Sequence, residues 1–334
     1  VIRLTSLEAF GEDPLRIVKA FRMLAQFPSF ELEPETLSLA SEQSGGLIDV
    51  PVERIQVEMD RLLSLESPGR VMRLASRCGV LSLIFPELKP LDGLGQNSYH
   101  HTDVLDHTLE ALESLDGPPE WLSELSLPDF SPDEWVTLRL AVLYHDSGKA
   151  ATRSVGADGR VHFYGHPRAS SELARTALTR LRFPNARVEA VADLCLNHLR
   201  PLGLIKTCPR KTALRRLVHS MDKRLPLLIA LSYADKGASR GRDHDKNIRD
   251  LKSLGREVMA LAAAEGEALR RLPKLVNGLE ALEILGLAKP GPELGRALDS
   301  LLEQQVAGNV TTRSEAEAYL ASLRGRRSSK GLEE

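Results

Sequence analysis

Six metal-competent side chains recur along this chain in the order His107, His145-Asp146, His166, His198, Asp235. At their centre is the string Leu143-Tyr144-His145-Asp146-Ser147-Gly148-Lys149, which follows an apolar run. Side chains spread from residue 107 to residue 235 cannot make one local loop site. They make a site only if several helices converge on it, as in bundles that build metal centres from facing helices. Neutral imidazole and carboxylate suit divalent Mn, Fe, Co, Ni or Zn, while Mg prefers oxygen-rich sites. A centre with open positions acidifies water for attack on phosphorus, and two ions can clamp the attacking and leaving oxygens. Any one of the six taken alone is better explained as a surface or capping residue; the ensemble carries the expectation. His101, His162, His219 and His244 lie outside the ordered set and are background. His100, ahead of a helix, fits either reading.

Composition supports a helical scaffold. Aromatic residues make up 4% of the 334 residues, while Leu, Ala, Arg and Glu dominate, so an all-α fold is expected. The length suggests two or three domains. With 44 basic and 46 acidic residues there is no global field to draw the chain to a polyanion or a membrane, so any such partner must meet a local patch. Cys78, Cys195 and Cys208 have no ligand spacing and read as reduced core thiols of a cytoplasmic protein. No apolar stretch is long enough to span a bilayer, and the N-terminus has no signal-peptide pattern. A start at Val1 rather than Met suggests that something upstream has been removed.

Helix signals recur. Asp13-Pro14 reads as an N-cap followed by proline at N1, with Ile17, Phe21 and Leu24 at helical spacing behind it. Further helices are expected from Pro34, over Val52 to Leu63, and from the Ser67-Pro68 cap to Cys78, where Gly79 stops it. Lys89 to Tyr99 reads as a linker, Val104 to Leu115 as helix, and Asp116 to Pro132, with four prolines, as a surface excursion. Val136 to Tyr144 is an apolar helix ending at the His-Asp pair. A loop over Ala151 to His166, with a short hairpin around Gly156 to Tyr164, follows. Helices are then expected over Ala169 to Leu181, Val188 to Leu199, Leu225 to Ala234 and Leu251 to Leu272. Leu275 to Leu301 suggests short helices with tight glycine turns, and Gly325 to Glu334 a frayed end.

Two further features bear on function. Asp13 and Arg16 stand at spacing i, i+3 on one helix face, where together they offer an acceptor and a donor edge to a base. Lys19 and Arg22, one and two turns on, then meet phosphates. A helix cap at Asp13 and a solvated Arg16 explain the same residues, and sequence physics alone favours that simpler account. Leu199 to Arg224 carries eight basic residues and one acid, Asp222, which is either a solvated face or a lure for RNA phosphate. No aromatics are interleaved to stack bases.

The His-Asp-x-Gly-Lys string, with Val104-Leu105-Asp106-His107-Thr108, Tyr164-Gly165-His166-Pro167, Leu196-Asn197-His198 and Ala234-Asp235, resembles the HD superfamily of metal-dependent phosphohydrolases. The resemblance implies that His107, His145, Asp146 and Asp235 hold one divalent ion (Mn, Ni, Co, Fe or Mg). His166 and His198 would complete a second, with Asp146 bridging. His145, Asp146 and Lys149 would be catalytic, Lys149 facing substrate phosphate. Ser147 stands where an aliphatic residue is usual, with little expected consequence.

A wider resemblance runs from Val1-Ile2-Arg3 and Glu12-Asp13-Pro14-Leu15-Arg16 through Pro51-Val52-Glu53-Arg54-Ile55 and Phe85-Pro86-Glu87-Leu88 to Asn277-Gly278 and Pro290-Gly291-Pro292. It is to bacterial class II tRNA nucleotidyltransferases, the CCA-adding and poly(A) polymerase family. It implies a neck over 1–35, a body over 36–94, an HD domain over 95–240 and a tRNA-binding tail over 241–334. Asp13 and Arg16 would select incoming CTP or ATP, with Lys19, where Arg is usual, and Arg22 on phosphates. The Gly-Gly phosphate loop and the paired aspartates that bind Mg in the family's head are not in this sequence, so a head upstream of Val1 is expected. The implied function is CCA addition to tRNA 3′ ends by the intact enzyme, with this portion binding tRNA and carrying a phosphohydrolase for 2′,3′-cyclic and terminal phosphates. The alternatives are a free-standing HD nucleotide phosphohydrolase and a non-catalytic RNA-binding module with a relic HD fold.

Overall fold

The computed structural model of the chain describes residues 1–95, 102–117, 120–207, 210–239 and 243–328. His100, His101, Cys208 and the last residues of the expected linker and of the C-terminal end lie outside them. The protein is all-α: its only strands among the described residues are Ser154–Val155 and Val161–His162, an antiparallel hairpin in the expected place. No helix is long and apolar enough to cross a membrane. The chain forms two compact units, residues 1–205 with 226–255, and residues 206–225 with 256–334.

In the first unit, helix Leu15–Gln26 buries Leu15, Ile17, Val18, Phe21 and Leu24. It packs on helices Val52–Leu63 and Pro68–Arg77. Pro14 already has helical dihedrals, and the Asp13 carboxylate accepts from the Leu15 N–H at 3.3 Å, a one-residue difference from the expected cap. The cap of Pro68–Arg77 differs more. Ser67 makes no capping bond; the N–H groups of Gly69 and Arg70 donate to Asp116 at 2.8 and 2.9 Å. A carboxylate both accepts these bonds and complements the helix dipole, so Asp116 takes the role expected of the serine. Gly79, at φ +75°, follows the helix in the left-handed conformation expected of its stop.

The described residues of 116–132 run along the surface as expected, but four apolar side chains anchor them to the core. They carry helix Glu120–Glu124, and Leu122, Leu125, Leu127 and Phe130 are buried. Trp121 stacks on Tyr233 with centroids 5.3 Å apart. The prolines punctuate the segment, but its apolar residues carry enough area to draw it onto the core. A Ser131/Glu134 capping box then opens helix Pro132–Tyr144, in which every residue from Val136 to Tyr144 is buried. A helix apolar on all sides is the centre of a bundle. Helices His166–Arg180 and Asn185–Asn197 pack on it and on each other.

Two buried arginines tie this bundle to the N-terminal helices of the same unit. Arg139 donates to the carbonyls of Leu63 and Leu65, at 2.6 and 2.5 Å, where helix Val52–Leu63 ends. Burial lowers its pKa to about 10, partly offset by Asp116. Arg187 bridges Asp60 and Asp133. Cys78 and Cys195 are buried free thiols, as expected.

The second unit has its own core, built from Ala281, Leu285, Leu301, Ala316 and Leu320 among others. An Asn277/Glu280 capping box starts helix Gly278–Leu285, and Gly286 ends it at φ +67°. Helices Pro292–Ala307 and Arg313–Ser328 follow, the last passing through Gly325, where fraying was expected. Most of the basic stretch lies in this unit, and part of it is neutralised there. Lys211 and Arg215 both pair with Glu265, at 2.6 and 2.9 Å.

Candidate metal centre and base-reading helix

All six ordered His and Asp residues meet in the first unit. Helix Val104–Glu113 brings His107, and Leu225–Ala238 brings Asp235. His145 and His198 stand at the C-terminal ends of Pro132–Tyr144 and Asn185–Asn197, and His166 opens the next helix. None is more than 8% exposed.

The cluster divides about Asp146. His107, His145, Asp146 and Asp235 form one group, and Asp146, His166 and His198 the other, each with ligand atoms within 4.8 Å of one another. Asp146 Oδ2 lies 3.3 Å from His145 Nε2, while Oδ1 lies 3.3 Å from His166 Nε2 and 3.8 Å from His198 Nε2. Asp235 Oδ1 lies 3.0 Å from His107 Nε2 and 3.6 Å from His145 Nε2. One carboxylate therefore turns an oxygen to each group.

Three of the rings are oriented by the main chain. Nδ1 of His145, His166 and His198 lies 2.7, 2.8 and 2.6 Å from the carbonyl oxygens of Val142, Phe163 and Cys195. Each Nδ1–H donates to the carbonyl three residues back, which turns each Nε2 toward the cluster. This is the outer hydrogen bond that metal-ligating histidines use. At the two helix ends it also satisfies a carbonyl that the helix leaves free.

The electrostatics call for a cation. Burial alone would push Asp146 up, but Lys149 and His145 outweigh it and hold the carboxyl well below its ordinary range. Asp235 is held down against burial by His107 and His145. Burial opposes a charge on His145, yet Asp146 and Asp235 raise its pKa to about 10. Burial, and then repulsion from His145, lowers His198 to about 4. Two ionised carboxylates thus hold a proton on His145, whose Nε2 sits 3.3 Å from Asp146 and 3.6 Å from Asp235 without a well-directed hydrogen bond to either. A divalent ion fits this donor set, since it would satisfy that atom and neutralise the carboxylates.

The local string is shaped for close packing. A Cβ on Gly148 would sit 2.5 Å from Ser170 N and 2.6 Å from His166 O, so only glycine lets helix His166–Arg180 seat here. Gly148 N–H donates to Ser170 Oγ at 2.8 Å. The Ser147 hydroxyl, where an aliphatic side chain was the usual one, donates to the Tyr144 carbonyl at 2.8 Å and is satisfied in its buried position. Lys149 Nζ lies 2.6 Å from Asp146 Oδ2 and 5.6 Å from the Phe163 ring centroid.

The Leu15–Gln26 helix is arranged differently. Asp13 pairs with Arg54 at 3.1 Å and stands 4.0 Å from Lys19. Arg16 pairs with Glu12 at 2.8 Å and donates to the Ala9 carbonyl. Arg22 is held by Glu58 at 2.8 Å, and Glu58, 4% exposed, also takes Arg61. Arg54 and Glu58 had no assigned role in the sequence, because spacing along helix Leu15–Gln26 says nothing of what helix Val52–Leu63 brings against it.

Residues 29–91 match the family described as the probable RNA and SrmB-binding site of polymerase A, and residues 100–236 match the HD domain. The chain is 35% identical over 326 residues to the A-adding tRNA nucleotidyltransferase of Deinococcus radiodurans, covering 96% of this chain and 70% of that one. It is 37% identical over 326 residues to the CC-adding tRNA nucleotidyltransferase of Thermus thermophilus, covering 96% and 69%. In fold it resembles the crystal structure of the Bacillus stearothermophilus CCA-adding enzyme in complex with CTP, with a TM-score of 0.57 at 20% identity, covering 98% of this chain and 66% of that one.

Proposed function

The chain belongs to the bacterial tRNA nucleotidyltransferase family, and from that premise we propose that it joins two tasks, selecting nucleotides for addition to tRNA and hydrolysing phosphate esters at the HD cluster. The partners are tRNA, CTP and ATP. Transfer itself falls to a head domain outside these residues, with its own Mg ions. The observation that carries the hydrolytic task is the convergence of four buried histidines on the two oxygens of Asp146, with the Asp235 carboxylate against two of them.

His107, His145, Asp146 and Asp235 would hold one divalent ion and His166 and His198, with Asp146, a second. Such ions supply Lewis acidity to a phosphoryl oxygen and acidify water at neutral pH. The chain's own residues do the rest. The carbonyls of Val142, Phe163 and Cys195 hold three rings in one tautomer. Lys149 fixes Asp146 through Oδ2, and its ammonium would turn from that carboxylate to a substrate phosphate oxygen. The substrates proposed are 2′,3′-cyclic and terminal phosphates of nucleotides or RNA ends.

In selection, Asp13 and Arg16 offer the acceptor and donor edge, and Lys19 meets phosphate. Arg22 reaches phosphate only by leaving Glu58, so its first task is to seat the helix. A free-standing hydrolase would have no use for this helix or for a match that spans 96% of the chain.

Purified chain incubated with a nucleoside 2′,3′-cyclic phosphate and Mn, Ni, Co, Fe or Mg in turn tests the hydrolytic task. Product should appear with at least one metal and vanish with chelator. Absence of product and of bound metal under every supplement would leave a relic HD fold as the better account. Joining the chain to a family head should restore nucleotide addition to tRNA.

A further inference from the structure

Two of the helices that bring histidines to the cluster run side by side in the same direction. Pro132–Tyr144 leads into His145 and Asn185–Asn197 into His198, and the two pack on each other. At one end the His145 and His198 rings meet edge to face, with centroids 5.4 Å apart. Midway, the Cys195 thiol donates to the Ala141 carbonyl at 3.7 Å. At the other end Arg187, in the first turn of the second helix, pairs with Asp133, in the first turn of the first. Asp133 lies twelve residues before His145 and Arg187 eleven before His198, which is about 18 and about 17 Å of helix. A helix does not stretch, so a slip at the Arg187 end reappears undiminished at the histidines. Metal–ligand distances tolerate roughly 0.2 Å, far less than the rise of about 1.5 Å for one helical residue.

Arg187 is 8% exposed, and its guanidinium lies over the Phe183 ring at 5.6 Å. It takes a second carboxylate, Asp60, from helix Val52–Leu63. A buried cation has to be paired, but one carboxylate meets that need. The second, Asp133, adds what charge balance does not require: it joins the two helices that carry His145 and His198. From this geometry we propose that Arg187 is a positioning residue. Through Asp133 it sets the axial register of the two helices, and so the placing of His198 against Asp146, where the two halves of the cluster meet. The proposal rests on the reading above that the cluster holds two divalent ions. Arg187 itself touches neither ion nor substrate.

The test uses the two carboxylates, whose side chains are 75% exposed in Asp133 and 38% in Asp60, so either can be removed without emptying the core. In Asp133→Ala, Arg187 keeps Asp60 and only the tie between the ligand-bearing helices is lost. In Asp60→Ala that tie is kept. The whole chain is titrated with Mn in a calorimeter, and the event at His166 and His198 is identified by its loss in His198→Ala. Asp133→Ala weakens that event roughly tenfold, the lower end of the loss for partners that orient metal ligands, and leaves the other event in place. Asp60→Ala leaves both events at the values of the unaltered chain. Equal losses in the two variants, or no loss in Asp133→Ala, overturns the proposal, because a merely stabilising pair moves both alike or neither. A second readout needs no metal. The imidazole Cε1–H resonances of His145 and His198 in the metal-free chain shift in Asp133→Ala and stay in place in Asp60→Ala; the same response in both variants also overturns the proposal. Failure of the metal reading looks different: the unaltered chain then takes up no Mn, and the resonances alone decide the role of Arg187.

Discussion

The His/Asp cluster and the Leu15–Gln26 helix both carry charged groups suited to a nucleotide, but they hold them in opposite ways. In the cluster every ligand is buried, three rings are locked by main-chain carbonyls, and His145 Nε2 makes no well-directed hydrogen bond to the carboxylates beside it. On the helix, Asp13 and Arg16 are partly exposed and each already has a partner, Arg54 and Glu12. A buried, organised donor set binds one kind of ligand strongly, because leaving it empty is unfavourable. Exposed ion pairs are worth about 0–1 kcal/mol, so they open readily and let a pair of side chains exchange one hydrogen-bonding partner for another. The difference fits the proposed tasks: a fixed chemical centre in one region, and a choice among bases in the other.

The largest expected effect separates the two regions outright. His145→Ala should reduce hydrolysis of a nucleoside cyclic phosphate to background and lower the metal content measured on the purified chain, while nucleotide choice in the head-joined enzyme stays as it was. Loss of base choice in the same variant would mean that the regions are not independent. Next in size is Glu58→Ala, which strips Arg22 of its buried partner. We expect a stability loss of about 1–3 kcal/mol in denaturant titration, the scale of a lost hydrogen bond between charged groups of which Arg22 is partly exposed. A loss near zero would show that Arg22 is free for phosphate after all.

Gly148→Ala should cost about 1–3 kcal/mol through overpacking against the His166–Arg180 helix. It should also weaken metal affinity, because His166 must shift, and calorimetric metal titration checks this. If affinity were unchanged, His166 would not be among the ligands. The smallest stability effect is expected for Asp13→Ala, at most about 1 kcal/mol for a lost cap. Its informative consequence lies in the head-joined enzyme, where incorporation of CTP, ATP, UTP and GTP should become less discriminating. A stability loss with base choice intact would leave Asp13 as a cap only.

Much of the helical framework was legible along the chain. Val52–Leu63 forms over the expected residues, and Gly79 terminates the helix before it. The six cluster residues could be picked out as an ordered set whose contexts together resemble the HD superfamily, though none stood out alone. Other features were not legible at that range. Asp116 had no mark in the sequence as the cap of a helix that begins at residue 68. The segment 116–132 looked like surface because its prolines are local signals, whereas the burial of Leu125 and the stacking of Trp121 on Tyr233 depend on helices far along the chain.

The same division runs through both sites. The sequence by itself determined which residues are competent: four histidines and two aspartates in order, and an Asp and an Arg one helical turn apart. These follow from side-chain chemistry and from the 3.6-residue repeat, which operate over a few neighbours. Only the tertiary structure decided that Asp146 turns one oxygen to each half of the cluster, that Arg54 engages Asp13, and that Arg22 is committed to Glu58. Those pairings join residues from separate helices. They are set by how apolar faces pack and by the need to pair each charge the packing buries, and no local spacing encodes either.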